Sequence, residues 1–180
     1  MNLDQEEFKK IIEFLSLENF NIDEGFTPKP IGDGQSNPTF LIRDERKNFK
    51  VLRTQPIGNL ARGAHRVDRE FSVIRALFNK GFECPQPYAV CDNPDLIGRM
   101  FYVMDFVEGD INFDPFLPDE SFEDKQKIYK SLAEVLGRLH SYDIDELGLS
   151  FRKNQGFMKR NLSLWYDQIF DDVSKKDKEI

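Results

Sequence analysis

The sequence predicts an α+β fold, rich in sheet in its first part and helical in its second. Three observations carry this. Short β-rich runs, broken by Gly, Pro, Asn and Asp, lie between residues 26 and 107. One segment of helical period, residues 66–79, interrupts them. From residue 121 onward the apolar spacing is helical only.

The elements follow in order. Residues 4–18 read as a helix, with Phe8, Ile11, Ile12 and Leu15 on one face and Asp4, Glu6 and Glu7 at the dipole-favoured start. A strand candidate, residues 26–31, leads into the turn-rich stretch Gly32-Asp33-Gly34-Gln35-Ser36-Asn37-Pro38. Residues 39–42 and 49–53 flank a short charged turn, the pattern of a hairpin. Pro56, Gly58 and Gly63 mark a loop. The helix at 66–79 carries Val67, Phe71, Ile74 and Phe78 on one face and stops before Gly81. Residues 88–91 and 101–107 are two further strands. Residues 121–141 form the clearest helix, with the apolar stripe Ile128, Leu132, Val135, Leu136 and Leu139. Ser121 with Asp124 resembles a capping pair. Residues 158–173 form a weaker helix holding Trp165 and Phe170, and the charged last ten residues are expected to fray.

Composition excludes several classes. The chain has 180 residues, enough for one core, and 25 basic against 32 acidic residues give a net charge of −7. That balance lacks the footprint of a general nucleic-acid binder. No apolar run approaches the roughly 20 residues of a membrane helix. The acidic, amphipathic N-terminus does not read as a secretion leader. Cys84 and Cys91 form neither a disulfide framework nor a zinc site, so a reducing, cytoplasmic setting is expected.

The glycines at 32 and 34 let backbone approach a phosphate closely, and Ser36 and Asn37 add donors. Taken alone the stretch reads more simply as a polar hairpin turn. No Gly-Lys-Ser/Thr follows it, and the next element is a strand, so it is not a helix-based phosphate loop. A glycine turn between strands fits the flap that covers ATP phosphates in kinases. Such a flap requires a cation on the next strand, an acid on the following helix and a strand running into an adenine-reading connector. Arg53, Glu70 and Met104-Asp105-Phe106-Val107 supply these in that order.

The chain resembles the aminoglycoside phosphotransferase and choline kinase-like family. Within it, the chain is most similar to the phosphotransferase-like domain fused ahead of some acyl-CoA dehydrogenases. The resemblance runs through Gly34-Gln35-Ser36-Asn37-Pro38-Thr39-Phe40, Val51-Leu52-Arg53 and Gly63-Ala64-His65-Arg66-Val67-Asp68-Arg69-Glu70-Phe71. It continues through residues 97–109, Leu136-Gly137-Arg138-Leu139-His140-Ser141 and Leu147-Gly148-Leu149. It implies a kinase-like N-lobe, an antiparallel sheet with one helix, followed by helices of a second lobe, and transfer of the ATP γ-phosphate to a hydroxyl. By it, Gly32, Gly34, Ser36 and Asn37 line the phosphate flap, Arg53 holds phosphates and Glu70 orients Arg53. Met104, Asp105 and Val107 form the adenine edge.

The family's His-Gly-Asp loop, with its magnesium-binding Asn and second Asp, has no counterpart here. The two histidines, His65 and His140, are followed by Arg66 and Ser141. Asp105-Phe106 continues into Val107 rather than glycine, so it is not the metal-binding motif. The resemblance therefore implies a nucleotide-binding N-lobe over residues 1–107 and the start of a truncated helical lobe over 108–180. It assigns no catalytic or metal-binding residue to this chain. ATP is the expected cofactor, with Mg2+ expected for the complete family enzyme. A small hydroxylated acceptor, such as a hydroxyacyl-CoA, would require the missing lobe, and self-association or a partner lobe is expected. The alternative is a non-catalytic nucleotide-binding or protein-interaction module.

Overall fold

A computed structural model describes residues 3–32, 36–58, 60, 64–149 and 156–176. Helix α1, Gln5–Leu17, starts where Asp4 accepts from the Glu7 amide while the Glu7 carboxylate accepts from the Asp4 amide, a reciprocal cap. Its apolar face brings Ile11 and Leu15 to full burial.

Five strands follow: β1 Lys29–Pro30, β2 Thr39–Arg43, β3 Phe49–Thr54, β4 Pro87–Cys91 and β5 Phe101–Asp105. They form one antiparallel sheet in the order β1-β2-β3-β5-β4. The β2–β3 hairpin turns through Asp44–Asn48, where the Asp44 carboxylate accepts from the Asn48 amide and Lys47 takes a left-handed φ of 68°. Side chains alternate between the two sheet faces. Phe40, Ile42, Leu52, Ala89, Phe101 and Val103 point to the back face and pack with Ile11 and Leu15 of α1. On the opposite face Tyr102 packs with Val67 and Phe71 of helix α2, Val67–Asn79.

Some boundaries differ from expectation for local reasons. Strand β1 is only two residues long: Lys29 and Pro30 pair with Leu41 and Phe40, and beyond them the Ile31 amide donates to the Thr39 carbonyl at 2.9 Å before the chain turns at Gly32. β5 ends at Asp105 rather than residue 107, where its last ladder partner, Lys50, is reached. On α2, Leu77 is buried and Phe78 is not. The chain turns back through Gly81 along the Ile74–Leu77 side, where the Phe82 amide meets the Leu77 carbonyl and Cys84 Sγ meets that of Ile74.

Arg99, in the β4–β5 connection, is 1% exposed. Its Nη2 donates to Glu7 Oε2 at 2.7 Å, joining the start of α1 to the far end of the sheet.

Two compact units divide the chain, Met1–Asp143 and Ile144–Ile180. The first includes helix α3, Phe122–His140, capped by Ser121, whose Oγ accepts from the Asp124 amide. α3 buries none of its residues, and its stripe stands open, with Leu132 52% and Leu136 41% exposed. Within the second unit, helix α4 runs over Phe157–Lys176, so it continues into the charged segment expected to fray. Among the described residues no helix is long and apolar enough to cross a membrane.

Candidate functional site

Arg53 and Glu70 meet because the sheet alternation and the start of α2 both aim at one place. Arg53 follows Val51 on the α2 face of β3, and Glu70 lies in the first turn of α2. Arg53 Nε donates to Glu70 Oε2 at 2.8 Å. Its Nη1 donates to Thr39 Oγ1 at 3.0 Å, directly across the β2–β3 ladder. Among the described residues its Nη2 has no partner. The ion pair is about one-third exposed on both sides, so it opens to solvent without being free in it.

Glu70 takes two further donors. Asn37 Nδ2 reaches Oε1 at 2.9 Å, and the Tyr102 hydroxyl reaches Oε2 at 3.2 Å. Burial, and then the Glu70 charge, push the Tyr102 phenol far above its ordinary range, so it stays protonated and remains a donor. With three donors on two oxygens, Glu70 is a brace for Arg53 and not a base looking for a proton.

The glycine turn joins β1 to β2. Gly32 holds φ at 77°, a conformation that strains any other residue, and its surroundings are open. Gly34 lies outside the described residues. Ser36 is exposed. Asn37 is buried, and its amide is committed to Glu70 and to His65, whose Nδ1 lies 3.0 Å from Asn37 Oδ1. The Asn37 side chain is therefore an internal tie between the turn and α2 rather than a donor held free for a ligand.

Met104, Asp105 and Val107 gather where β5 leaves the sheet. Met104 faces α2 and packs beside Val67, Phe71 and Tyr102. The Asp105 amide donates to the Gln86 carbonyl at 2.9 Å, so the backbone group it can still offer is its carbonyl. Its carboxylate turns to the back face and accepts from Lys50 Nζ and the Tyr88 hydroxyl, each at 2.7 Å. Val107 is exposed. Burial works against the Asp105 charge, yet the bonds from Lys50 and Tyr88 hold its carboxyl below the usual range. Burial likewise opposes the Lys50 charge, and the same partners outweigh it and raise that amine.

Two groups escaped the sequence reading. His65, with φ at 55°, precedes α2 and touches Asn37. Gln55 ties the two ends of the site together: its Nε2 donates to the His65 carbonyl at 2.8 Å and its Oε1 accepts from the Met100 amide at 3.0 Å. The available signal was position alone, since Gln55 stands two residues after Arg53 and His65 five before Glu70.

Two hollows among the described residues lie elsewhere. One of about 710 Å3 opens between α3 and Glu83, and one of about 300 Å3 lies behind the sheet beside Asp44, Lys50 and Tyr88. Among the described residues no cluster of three or more His, Cys, Asp or Glu side chains could hold a metal ion.

An Arg–Glu pair between strand and helix, on a five-stranded antiparallel sheet with one packed helix, defines a kinase-like α+β domain. Residues 27–174 match the family model described as phosphotransferase enzyme family, and the chain belongs to that family. The chain is 45% identical over 136 residues to acyl-CoA dehydrogenase family member 11 of Rattus norvegicus, covering 75% of this chain and 17% of that protein. It is 40% identical over 156 residues to the Arabidopsis thaliana protein named as acyl-CoA dehydrogenase IBR3, covering 83% of this chain and 19% of that one. The chain thus spans less than a fifth of these relatives. A crystal structure from Ralstonia eutropha JMP134, named as an aminoglycoside phosphotransferase, superposes with a TM-score of 0.67 at 27% identity. That match covers 89% of this chain and 46% of the other.

Proposed function

We propose that this chain forms the nucleotide-holding side of a phosphotransferase, with Arg53 as the cation for the ATP phosphates. The observation that carries this is the way Arg53 is tethered. Nε and Nη1 are fixed by Glu70 and Thr39, while Nη2 has no partner among the described residues. A guanidinium held on two nitrogens loses little further entropy when the remaining one meets a phosphate oxygen. The bound nucleotide supplies the phosphoryl group. Gly32 and Gly34 let backbone approach its phosphates, Ser36 adds a hydroxyl, and Met104 offers an apolar edge beside the Asp105 carbonyl and Val107.

The acceptor class we propose is a hydroxylated acyl thioester, supported by relatives that carry acyl-CoA dehydrogenase names. A second reading, a non-catalytic nucleotide-binding module, draws on one observation: neither His65 nor His140 begins a His-Gly-Asp loop.

Calorimetric titration with ATP tests the central reading. Arg53→Ala is expected to weaken binding by about tenfold or more, the value of a charge-assisted phosphate bond. Equal affinity of Arg53→Ala and the parent would remove Arg53 from that role.

A further inference from the structure

We propose that His65 is a positioning residue of the cleft, acting through Asn37 to hold the end of the glycine turn against the Glu70–Arg53 pair. Its effect on affinity presupposes the nucleotide-binding reading above; the direction of its hydrogen bond does not.

That direction follows from the donor inventory. The Glu70 carboxylate only accepts, so the Asn37 atom 2.9 Å from Oε1 must be the amide nitrogen. Asn37 therefore presents its oxygen to His65 Nδ1, 3.0 Å away. An oxygen needs a donor there, so the proton of the neutral ring belongs on Nδ1. A proton on Nε2 would set the Nδ1 lone pair against the Asn37 oxygen. The amide would then turn over and its oxygen would face the Glu70 carboxylate. One side chain thus sets the orientation of the next, from His65 through Asn37 to Glu70 and on to Arg53.

The placement of His65 is held from several sides. Its backbone has a φ of 55°, the left-handed region that Asn, Asp and His enter more often than other non-glycine residues. Its carbonyl accepts from Gln55 Nε2 at 2.8 Å and from the Val67 amide at 2.9 Å. Those bonds hold the His65 backbone, and with it the ring, in one place. Asn37 in turn is buried and precedes Pro38, whose carbonyl accepts from the Thr54 amide. Pinning Asn37 therefore pins the point where the glycine turn enters β2.

The test uses the full 180-residue chain. In a two-bond 1H–15N correlation spectrum of the neutral ring, His65 is expected as the Nδ1–H tautomer. The Nε2–H tautomer would overturn the proposal. His65→Gly and His65→Asn separate the ring from the backbone, because both accept a left-handed φ and only Asn returns a donor nitrogen near the Nδ1 position. With ATP as the probe, His65→Gly is expected to bind roughly tenfold more weakly than the parent, and His65→Asn to recover most of that loss. Parent-like affinity in His65→Gly, or equal weakness in both variants, would overturn it. If the parent itself does not bind ATP, the nucleotide reading fails and the side-chain amide protons of Asn37 decide. Slow exchange in the parent and His65→Asn with fast exchange in His65→Gly supports the relay, and equal exchange in all three rejects it.

Discussion

Lys50 and Arg99 show what single charged side chains do on the back face of this sheet. Lys50 is buried with Leu52 and Thr54, and its ammonium lies against Asp105 and Tyr88. Lys50→Met would leave the Asp105 carboxylate without its cation at the end of β5. Loss at neutral pH is expected to be about 1–3 kcal/mol, discounted from a fully buried pair because Asp105 retains some solvent. The pH dependence has a definite sign. The folded Asp105 value is lowered, so its contribution is present above the unfolded value near 3.8 and is lost as pH falls through the folded one. The raised Lys50 value contributes below 10.5 and is lost as pH rises through its folded value. Urea midpoints should therefore show the Lys50→Met defect in full between those limits and shrinking below pH 4. Arg99 is the stricter case. Among the described residues its Nε and Nη1 have no partner, so Glu7 supplies its whole counter-charge. Glu7→Ala is expected to cost about 3–5 kcal/mol, with the Glu7→Ala/Arg99→Met double variant recovering part of it in the same assay.

At the level of elements, α3 raises the sharpest question. Its cap is well made, and the Arg138–Glu83 ion pair and the Phe82–Tyr142 edge contact at 6.1 Å lie at its C-terminal end. Yet Ile128, Leu132, Leu136 and Leu139 are all at least 36% exposed. Covering each fully is worth roughly 1.5–3 kcal/mol, so together they favour association. Light scattering is expected to show self-association of the chain, and Leu132→Glu with Leu136→Glu is expected to reduce both scattering and hydrophobic-dye binding. A dye-free monomer at high concentration would remove this expectation.

Much of the element order was legible in the sequence. The hairpin at 39–54, α1 with its acidic start, and the Arg53–Glu70 pairing follow from period and order along the chain. What could not be read depends on distance in space. Nothing local distinguishes Lys50 from a surface lysine until Asp105 and Tyr88 arrive from 55 and 38 residues away. Asn37 looked like a ligand donor because its two partners, 28 and 33 residues on, come from the start of α2. Phe78 and Leu77 fit the helical stripe equally well, and only their burial in the fold separates them.

For the whole molecule, the two units should differ in protection. The sheet of the first unit has a buried face on each side, whereas α4 leaves Leu162, Trp165, Tyr166 and Ile169 more than half exposed. Native-state hydrogen exchange should be slowest over β2, β3 and β5 and fast along α4, since an amphipathic helix without burial is marginal. Equal protection of α4 and β3 would contradict this. Phosphoryl transfer by the 180 residues to a small alcohol is expected to stay at background in a coupled assay, because their sequence holds no His-Gly-Asp loop. Turnover on the order of 1 s⁻¹ would overturn that expectation.

Helix α1 has a practical consequence for anyone dissecting this domain. The stretch shared with the phosphotransferase family begins at residue 27, ten residues beyond the helix end. A boundary drawn by kinship would discard Ile11, Leu15 and the Phe14 ring that meets Phe101 edge-on at 5.5 Å. It would also strip Arg99 of Glu7 and uncover the part of the sheet's back face that α1 packs against. A protein begun at residue 27 is therefore expected in inclusion bodies while the longer one stays in the supernatant.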